Sequence, residues 1–141
     1  MSSVLLILLL IILIILSGFL SGSETAITAT SKARILYKKK KGSKRAEYVL
    51  ELLDKKDNVI STLLLSNNLV NILASSLATA FFYDIFGVEG IFYATLIMTI
   101  VIVIFAEVLP KTFAINRPNR TALLISPIIY YLNKILFIFV F

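Results

Sequence analysis

The chain contains no cysteine and no histidine among its 141 residues. Without cysteine there are no disulfides, thiolate metal sites or thiol redox chemistry, and the compartment cannot be read from cysteine use. Without histidine, the commonest general base and the preferred ligand of zinc, copper and nickel are missing. A bound metal ion must therefore be held by oxygen atoms, which favours Mg²⁺, Ca²⁺, Mn²⁺ or Na⁺. Because paired carboxylates are missing from the apolar segments too, we expect no enzymatic activity.

Basic residues are missing from one long stretch of the chain. No Lys or Arg occurs between Lys56 and Lys111, and Glu107 lies in this stretch, within the apolar run Ile91–Leu109. A carboxylate at membrane depth is energetically costly unless something compensates its charge, so it marks a functional site by default. Since the neighbouring apolar segments offer no basic side chain, a bound cation is the simplest compensating charge.

What the chain does contain is blocks of apolar residues. It is 59% hydrophobic, whereas soluble domains are nearer half apolar. The length suits one domain, and the fold class predicted is an all-α integral membrane protein with three transmembrane helices per subunit. Three apolar segments are each long enough for a span of about 20 residues. In chain order they are residues 4–29, 59–83 and 88–110.

The segments between and after the spans are more polar. Residues 32–56 are basic and contain a short amphipathic helix, which Gly42 and Ser43 separate from the preceding lysines. Residues 84–90 form a short acidic turn, and Pro110 is expected to end the third span. The C-terminal residues 121–141 have one apolar face, which predicts a helix lying along the membrane interface or packed around a helical bundle, although a full span stays open.

Charge asymmetry predicts the orientation. The chain carries a net charge of +6, and eight of its 14 basic residues fall in Lys32–Arg45. Such clusters follow the positive-inside rule, so we expect residues 32–56 and 111–120 in the cytoplasm and residues 84–89 outside. We expect the protein in the cell membrane (inner or plasma). With three spans, its N-terminus lies on the outer side. This explanation of the charge is preferred to nucleic-acid binding.

Polar residues fall at helical spacing on each of the three spans. Ser17 and Ser21 are four apart on the first, beside Gly18 and Gly22. Asn67 and Asn71 are four apart on the second. Serine in a membrane helix usually bonds its own backbone, and asparagine pairs commonly join helices, so neither pair alone indicates an ion site.

Together with Glu107, these pairs supply the ligands that a hard cation uses. Pro110 would add a free carbonyl, since at the four-residue spacing of an α-helix it deprives Ala106 of its hydrogen-bond donor. A site with one formal negative charge would hold a dication without excessive affinity, and a transporter needs this because the ion must also leave.

Three sequence elements resemble the transmembrane domain of the cyclin M/CorC family of magnesium transporters. They are Ser-Glu-Thr-Ala at 23–26, Ser-Asn-Asn-x-x-Asn at 66–71 and Ala-Glu-x-x-Pro-Lys at 106–111. The resemblance covers nearly the whole chain, and the elements are specific only together. It implies a homodimer with three spans and a belt helix per subunit, and efflux of a dehydrated Mg²⁺ driven by Na⁺ influx. Family members usually carry regulatory CBS domains after the belt helix, so we expect this chain to be truncated.

The resemblance also implies a set of metal ligands and leaves two rival functions open. The implied ligands are Ser17, Ser21, Asn67, Asn71 and Glu107, with Ser23 and Asn68 as additional metal or gating candidates. Ala106, whose carbonyl Pro110 would free, is a further candidate of the same kind. One rival is a membrane-anchored ion sensor that controls a cytoplasmic domain without transporting anything. The other is a proton- or Na⁺-coupled carrier for another cation or substrate, in which Glu107 titrates.

Overall fold

The computed structural model describes residues 3–140, with side chains described for residues 3–136. The described residues are 94% helical and include no strand, which confirms the all-α prediction. Seven α-helices and one π-helical segment follow each other. They are α1 Ser3–Ala29, α2 Lys32–Lys40, α3 Lys44–Asp54, α4 Lys56–Phe86, α5 Val88–Val101, the π-helix Ile102–Val108, α6 Leu109–Asn116 and α7 Pro118–Val140.

Three helices are long and apolar enough to cross a membrane. They are α1, α4 and the continuous helix Val88–Asn116, which joins α5, the π-helix and α6. Many of their large apolar side chains are exposed, such as Ile12 on α1, Leu69 on α4 and Phe92 on α5. Lipid acyl chains are the natural surroundings for such a surface. Helix α7, whose side chains are described only as far as residue 136, is not among these three candidate spans.

The prediction that Pro110 ends the third helix is wrong, because the helix continues to Asn116. The reason is the π-helix Ile102–Val108, in which the N–H of Leu109 bonds the carbonyl of Ile104 five residues back. Proline clashes with the carbonyl four residues before it and has no N–H to donate. The wider π turn accommodates the clash, and Pro110 then lies in the first turn of α6, the helical position where proline is best tolerated.

The turn between the second and third helices is shorter than the predicted 84–90. Both helices extend into it, and only Gly87 separates α4 from α5, with φ +73°. This φ lies in the region where glycine carries no steric penalty. Just after the turn, a Cβ atom on Gly90 would lie 2.1 Å from the carbonyl oxygen of Phe82, so no side chain fits there.

The two membrane helices α1 and α4 run in opposite directions. Leu13 of α1 shares a buried cluster with Ala74 and Ala78 of α4, whereas Leu20, two turns later, clusters with Leu63, which precedes them. Met98 of α5 completes the first cluster. The small side chains of α4 therefore allow three helices to pack closely together.

We expect Ala78→Leu to destabilise this contact. Ala78 is 0% exposed and has no room for three further carbon atoms, and overpacking of this kind costs about 1–3 kcal/mol. The measurement is thermal unfolding of the purified protein in detergent. Ala80→Leu is the matched control, because Ala80 lies half a turn away on the exposed side of α4. Equal melting temperatures for the two variants would mean that the α1–α4–α5 contact is not tight.

The basic segment folds into two helices that pack beneath the membrane helices. The break predicted at Gly42 is present, and Ser31 and Ser43 accept hydrogen bonds from the N–H groups of Arg34 and Ala46, capping α2 and α3. Their apolar faces share one core with α1 and α7. This core includes Ile27, Ile35, Val49, Val59 and Ile129, each 0% exposed.

Helix α7 lies against this core with one face and leaves the other uncovered. Ala122, Ser126, Ile129 and Asn133 are buried, at spacings of four, three and four residues. Pro127 lies inside the helix without ending it. At its start α7 is fixed to the end of α1, since Asn119 Oδ1 accepts hydrogen bonds from Thr30 Oγ1 and Ser31 N, both at 2.7 Å. One face of α7 is therefore buried and the other uncovered, as expected for a belt helix.

Candidate metal centre

Three side-chain oxygen atoms from two membrane helices meet at one point between α1 and α4. Ser17 Oγ lies 2.6 Å from Asn67 Oδ1 and 2.5 Å from Asn71 Oδ1. Ser17 is 1% and Asn67 7% exposed, and Asn71 is half-buried. The four-residue spacing of the asparagines puts both amides on the face of α4 that meets α1. The cluster contains three of the five predicted ligands, and Ser21 and Glu107 are not part of it.

Ser17 Oγ has too few protons to make a hydrogen bond with both amide oxygen atoms. A hydroxyl group has one proton and can donate it to only one of the two amide oxygens. The other contact then places two oxygen lone pairs against each other. Either one amide turns its NH₂ group toward Ser17 Oγ, or the three oxygen atoms share a cation. The arrangement is therefore suited to a positive ion.

Two further hydroxyl groups near this level are buried and have no hydrogen-bond partner among the residues described. They are Ser21 Oγ on α1, one turn after Ser17, and Thr62 Oγ1 on α4. A buried polar atom without a partner costs about 1–3 kcal/mol, so it usually has a role. The sequence indicated Ser21 by its spacing from Ser17. It did not indicate Thr62, whose only signal was membership of a polar-rich span.

The third helix approaches α1 closely at the two glycines. A Cβ atom on Gly18 would lie 3.1 Å from Pro110 Cγ and 3.4 Å from the carbonyl oxygen of Phe105, and one on Gly22 would lie 3.4 Å from the Pro110 carbonyl oxygen. At Gly18 this distance is shorter than ordinary van der Waals contact, so a larger side chain there would push the helices apart, whereas the distance at Gly22 is an ordinary contact. The glycine face of α1 thus positions the π-helix beside Ser17.

The π-helix also changes which carbonyl Pro110 leaves without a donor. The sequence indicated Ala106, four residues before the proline. In the five-residue register, which the Leu109-to-Ile104 bond marks, the corresponding residue is Phe105. Its carbonyl oxygen faces Gly18 of α1. Single π-helical turns within α-helices occur frequently at functional sites.

Glu107 lies in this π-helix, next to the fully buried Ala106, and its own side chain is half-buried. It makes no hydrogen bond or ion pair with any other residue described. The ion pair found among the described residues joins Lys32 to Asp54 at 4.0 Å and does not involve Glu107. Within the described part of the chain, no side chain compensates the charge of this carboxylate. The structure places it on the helix facing Gly18, but not in hydrogen-bond contact with Ser17 or the two asparagines.

The remaining candidates lie away from the oxygen cluster. Ser23 is buried, and its hydroxyl donates to the carbonyl of Phe19 at 2.7 Å within α1. Asn68 is exposed on the neighbouring face of α4. Within the described part of the chain, no three Asp, Glu, His or Cys side chains group together. A metal centre here must therefore depend on neutral oxygen atoms and the single carboxylate of Glu107.

These features define a class of protein: an all-helical membrane domain with a polar cluster buried between its spans. A family model described as the cyclin M transmembrane N-terminal domain matches residues 8–141. Because this match covers nearly the whole chain, the chain belongs to the cyclin M family. The family is generally linked to the transport of metal ions across membranes.

Curated relatives agree with this assignment. The chain is 39% identical over 131 residues to the UPF0053 inner membrane protein YfjD of Escherichia coli, with 85% of this chain and 31% of that protein covered. It is 37% identical over 122 residues to a UPF0053 protein of Haemophilus influenzae, covering 86% of this chain and 29% of the relative. A putative chloroplastic DUF21 domain-containing protein of Arabidopsis thaliana is 28% identical, with 18% of its length covered. The chain thus spans less than a third of these relatives.

Proposed function

We propose that this chain is the transmembrane domain of a Mg²⁺ transporter that binds the ion between its three spans. Ser17, Ser21, Asn67 and Asn71 would supply neutral oxygen ligands, and Glu107 the one negative charge. The observation that carries the proposal is the contact of Ser17 Oγ with both amide oxygens, at 2.6 Å and 2.5 Å. It brings together three neutral ligand atoms with one proton among them.

The spacing of these oxygen atoms favours a small ion. Mg²⁺ holds six oxygen atoms at about 2.0–2.1 Å, so neighbouring ligands in its octahedron are about 2.9 Å apart. The shell of Ca²⁺ has metal–oxygen distances near 2.4 Å, which for the same geometry separates neighbours by about 3.4 Å. The observed contacts of 2.5–2.6 Å need to open by only a few tenths of an ångström for Mg²⁺. They need to open by nearly 1 Å for Ca²⁺.

The proposed transport cycle uses the uncompensated carboxylate. Mg²⁺ would shed its water as the side-chain oxygen atoms replace it, and Glu107 would neutralise half of its charge. Na⁺ carries a single charge and would neutralise the same carboxylate after Mg²⁺ leaves, which would couple Mg²⁺ efflux to Na⁺ influx. The chain would work as a homodimer, with alternating access around the site between α1, α4 and the π-helix.

Flux into liposomes that contain the purified domain tests this function. We expect Mg²⁺ flux from the wild-type chain, and its loss in the double variant Asn67→Ala with Asn71→Ala. Asn68→Ala is the matched control, because Asn68 is an exposed asparagine on the same helix and should keep full flux. Mg²⁺ binding without flux would support the ion sensor instead. A pH-dependent flux that ignores Mg²⁺ would support a carrier for another cation.

The proposed orientation has its own test, which the absence of cysteine makes simple. We expect Lys40→Cys to resist a membrane-impermeant thiol reagent added outside sealed cells, and Glu89→Cys to react with it. Both positions are exposed in the structure, so accessibility differs only by the side of the membrane. The basis is the concentration of basic residues in 32–56. External labelling at position 40 would show that the chain has the opposite orientation in the membrane.

A further inference from the structure

A cavity of about 150 Å³ lies outside the candidate metal centre, between the C-terminal half of α3 and α7. Its lining combines both signs of charge with an aromatic ring and an amide. The lining residues are Glu51, Leu52, Lys55, Tyr130, Asn133 and Lys134. None of them belongs to the membrane spans or to the polar cluster between α1 and α4.

The walls of this cavity are held in place by contacts along two helices that run in the same direction. Arg45 Nη1 donates to the carbonyl of Leu124, and Ser126 Oγ to the carbonyl of Arg45, both at 3.3 Å. Further along both helices, the rings of Tyr48 and Tyr130 lie 5.0 Å apart. The cavity opens directly after this ring contact, so its shape is set by the packing of α3 on α7.

One polar atom of the cavity is buried and lacks a partner. Asn133 is 8% exposed, and its Oδ1 has no hydrogen-bond partner among the residues described. Leaving such an atom unpaired costs about 1–3 kcal/mol, whereas a leucine of similar volume would carry no such penalty. An amide oxygen in this position is suited to accept a hydrogen bond from a ligand in the cavity.

The charged groups indicate what else the ligand carries. The amino groups of Lys55 and Lys134 suit a phosphate group, to which lysine binds as a point charge. The carboxylate of Glu51 suits an ammonium or hydroxyl group beside that phosphate. Lys134 Nζ lies 6.0 Å from the centroid of the Tyr130 ring, a cation–π distance that keeps the amino group at the cavity.

The surface beside the cavity indicates the source of this phosphate. Leu124, Ile128, Tyr131 and Ile135 form an apolar stripe on α7, each more than half exposed. In a protein with three spans, an uncovered stripe of this kind on an interfacial helix lies in the acyl region, with headgroups at its polar edge. The neighbouring tyrosines are typical of that boundary. A phospholipid holds its phosphate at the depth of the headgroups, whereas free phosphate is not concentrated there.

We propose that the cavity binds the headgroup of a membrane phospholipid whose phosphodiester is followed by a hydrogen-bond donor, as in phosphatidylethanolamine or phosphatidylglycerol. The lysines bind the phosphodiester, and Glu51 and Asn133 Oδ1 accept hydrogen bonds from the ammonium or hydroxyl group. Phosphatidylcholine has the same phosphodiester but no N–H or O–H at its end. The site therefore distinguishes lipids by their donors and fixes α7 to the membrane surface.

Thermal unfolding in detergent, with one added lipid at a time, tests this proposal. Phosphatidylethanolamine, phosphatidylglycerol and phosphatidylcholine are compared with identical acyl chains, and inorganic phosphate is added in a fourth sample. We expect the first two lipids to raise the melting temperature and to remain bound in native mass spectrometry, with at least tenfold higher affinity than phosphatidylcholine. Equal effects of all three lipids would overturn the proposal, and a full effect of phosphate alone would overturn the lipid assignment.

Two variants connect the effect to the cavity. Asn133→Leu should melt at least as high as wild type without lipid, since it removes an unpaired polar atom, but should lose the preference for phosphatidylethanolamine over phosphatidylcholine. Lys134→Gln should weaken binding of both donor-bearing lipids about tenfold, and it keeps the exposed side chain length in case Asn133→Leu perturbs the fold. Lys40→Gln is the control, because Lys40 is exposed on α2 away from the cavity. If both cavity variants bind lipid as the control does, the cavity between α3 and α7 is not the lipid-binding site.

Discussion

Glu107→Gln is expected to abolish Mg²⁺ binding while leaving the fold intact. Glutamine has nearly the same shape as glutamate but no charge, and Glu107 is the only anion among the proposed ligands. Without it, neutral dipoles alone must replace the water of a dication, which weakens binding by about 100-fold or more, corresponding to about 2.8 kcal/mol. At a Mg²⁺ concentration about 100 times the wild-type Kd, the stabilisation by the ion falls from about 2.7 kcal/mol to about 0.4 kcal/mol.

The measurement is a melting curve of each variant with and without Mg²⁺. Without the ion, Glu107→Gln should be more stable than wild type, because a half-buried carboxylate without a partner has been neutralised. Asn71→Ala should weaken Mg²⁺ binding less, since it deletes one neutral oxygen atom. Glu89→Gln removes an exposed carboxylate far from the cluster and should behave as wild type. A wild-type shift in Glu107→Gln would mean that the carboxylate is not a ligand.

The parts of the structure that depend on helical periodicity could be predicted from the sequence. The three spans follow from apolar runs of sufficient length. The contact of Ser17 with Asn67 and Asn71 follows from two four-residue spacings, because residues four apart share a helix face and polar faces in a membrane turn inward. The burial of Ala74 and Ala78 follows from the same rule applied to small residues.

The π-helix and its consequences could not be predicted in this way. A π turn inserts one residue into a helix, and no change in the apolar pattern of Ile102–Val108 marks it, since the segment is apolar on nearly every side. Pro110 was visible in the sequence, but the usual rule for proline predicts the end of a helix at this position. Its actual neighbours, Gly18 and Gly22, are about 90 residues away in the chain. Their contact depends on how α1 packs against the third helix, which local spacing does not contain.

Gly18→Val is expected to remove Mg²⁺ binding even though Gly18 supplies no ligand. A Cβ atom at this position would lie 3.1 Å from Pro110 Cγ and 3.4 Å from the Phe105 carbonyl oxygen, so the branched side chain of valine must push the π-helix away from α1. Metal coordination distances tolerate only a few tenths of an ångström. Displacing the helix that carries Glu107 by about 1 Å should therefore weaken binding by about as much as removing the charge.

Gly22→Ala is the matched control, one turn further along the same face. Its Cβ atom would meet the Pro110 carbonyl oxygen at 3.4 Å, which is ordinary van der Waals contact, so the helices need not move apart. It should keep the Mg²⁺-dependent shift in melting temperature and gain slightly in stability from the better helix propensity of alanine. If Gly18→Val binds Mg²⁺ as Gly22→Ala does, the spacing of α1 and the π-helix does not set the position of Glu107. The ion would then be bound by the serine and asparagine side chains alone, because the position of the Glu107 carboxylate relative to the cluster depends on the π-helix.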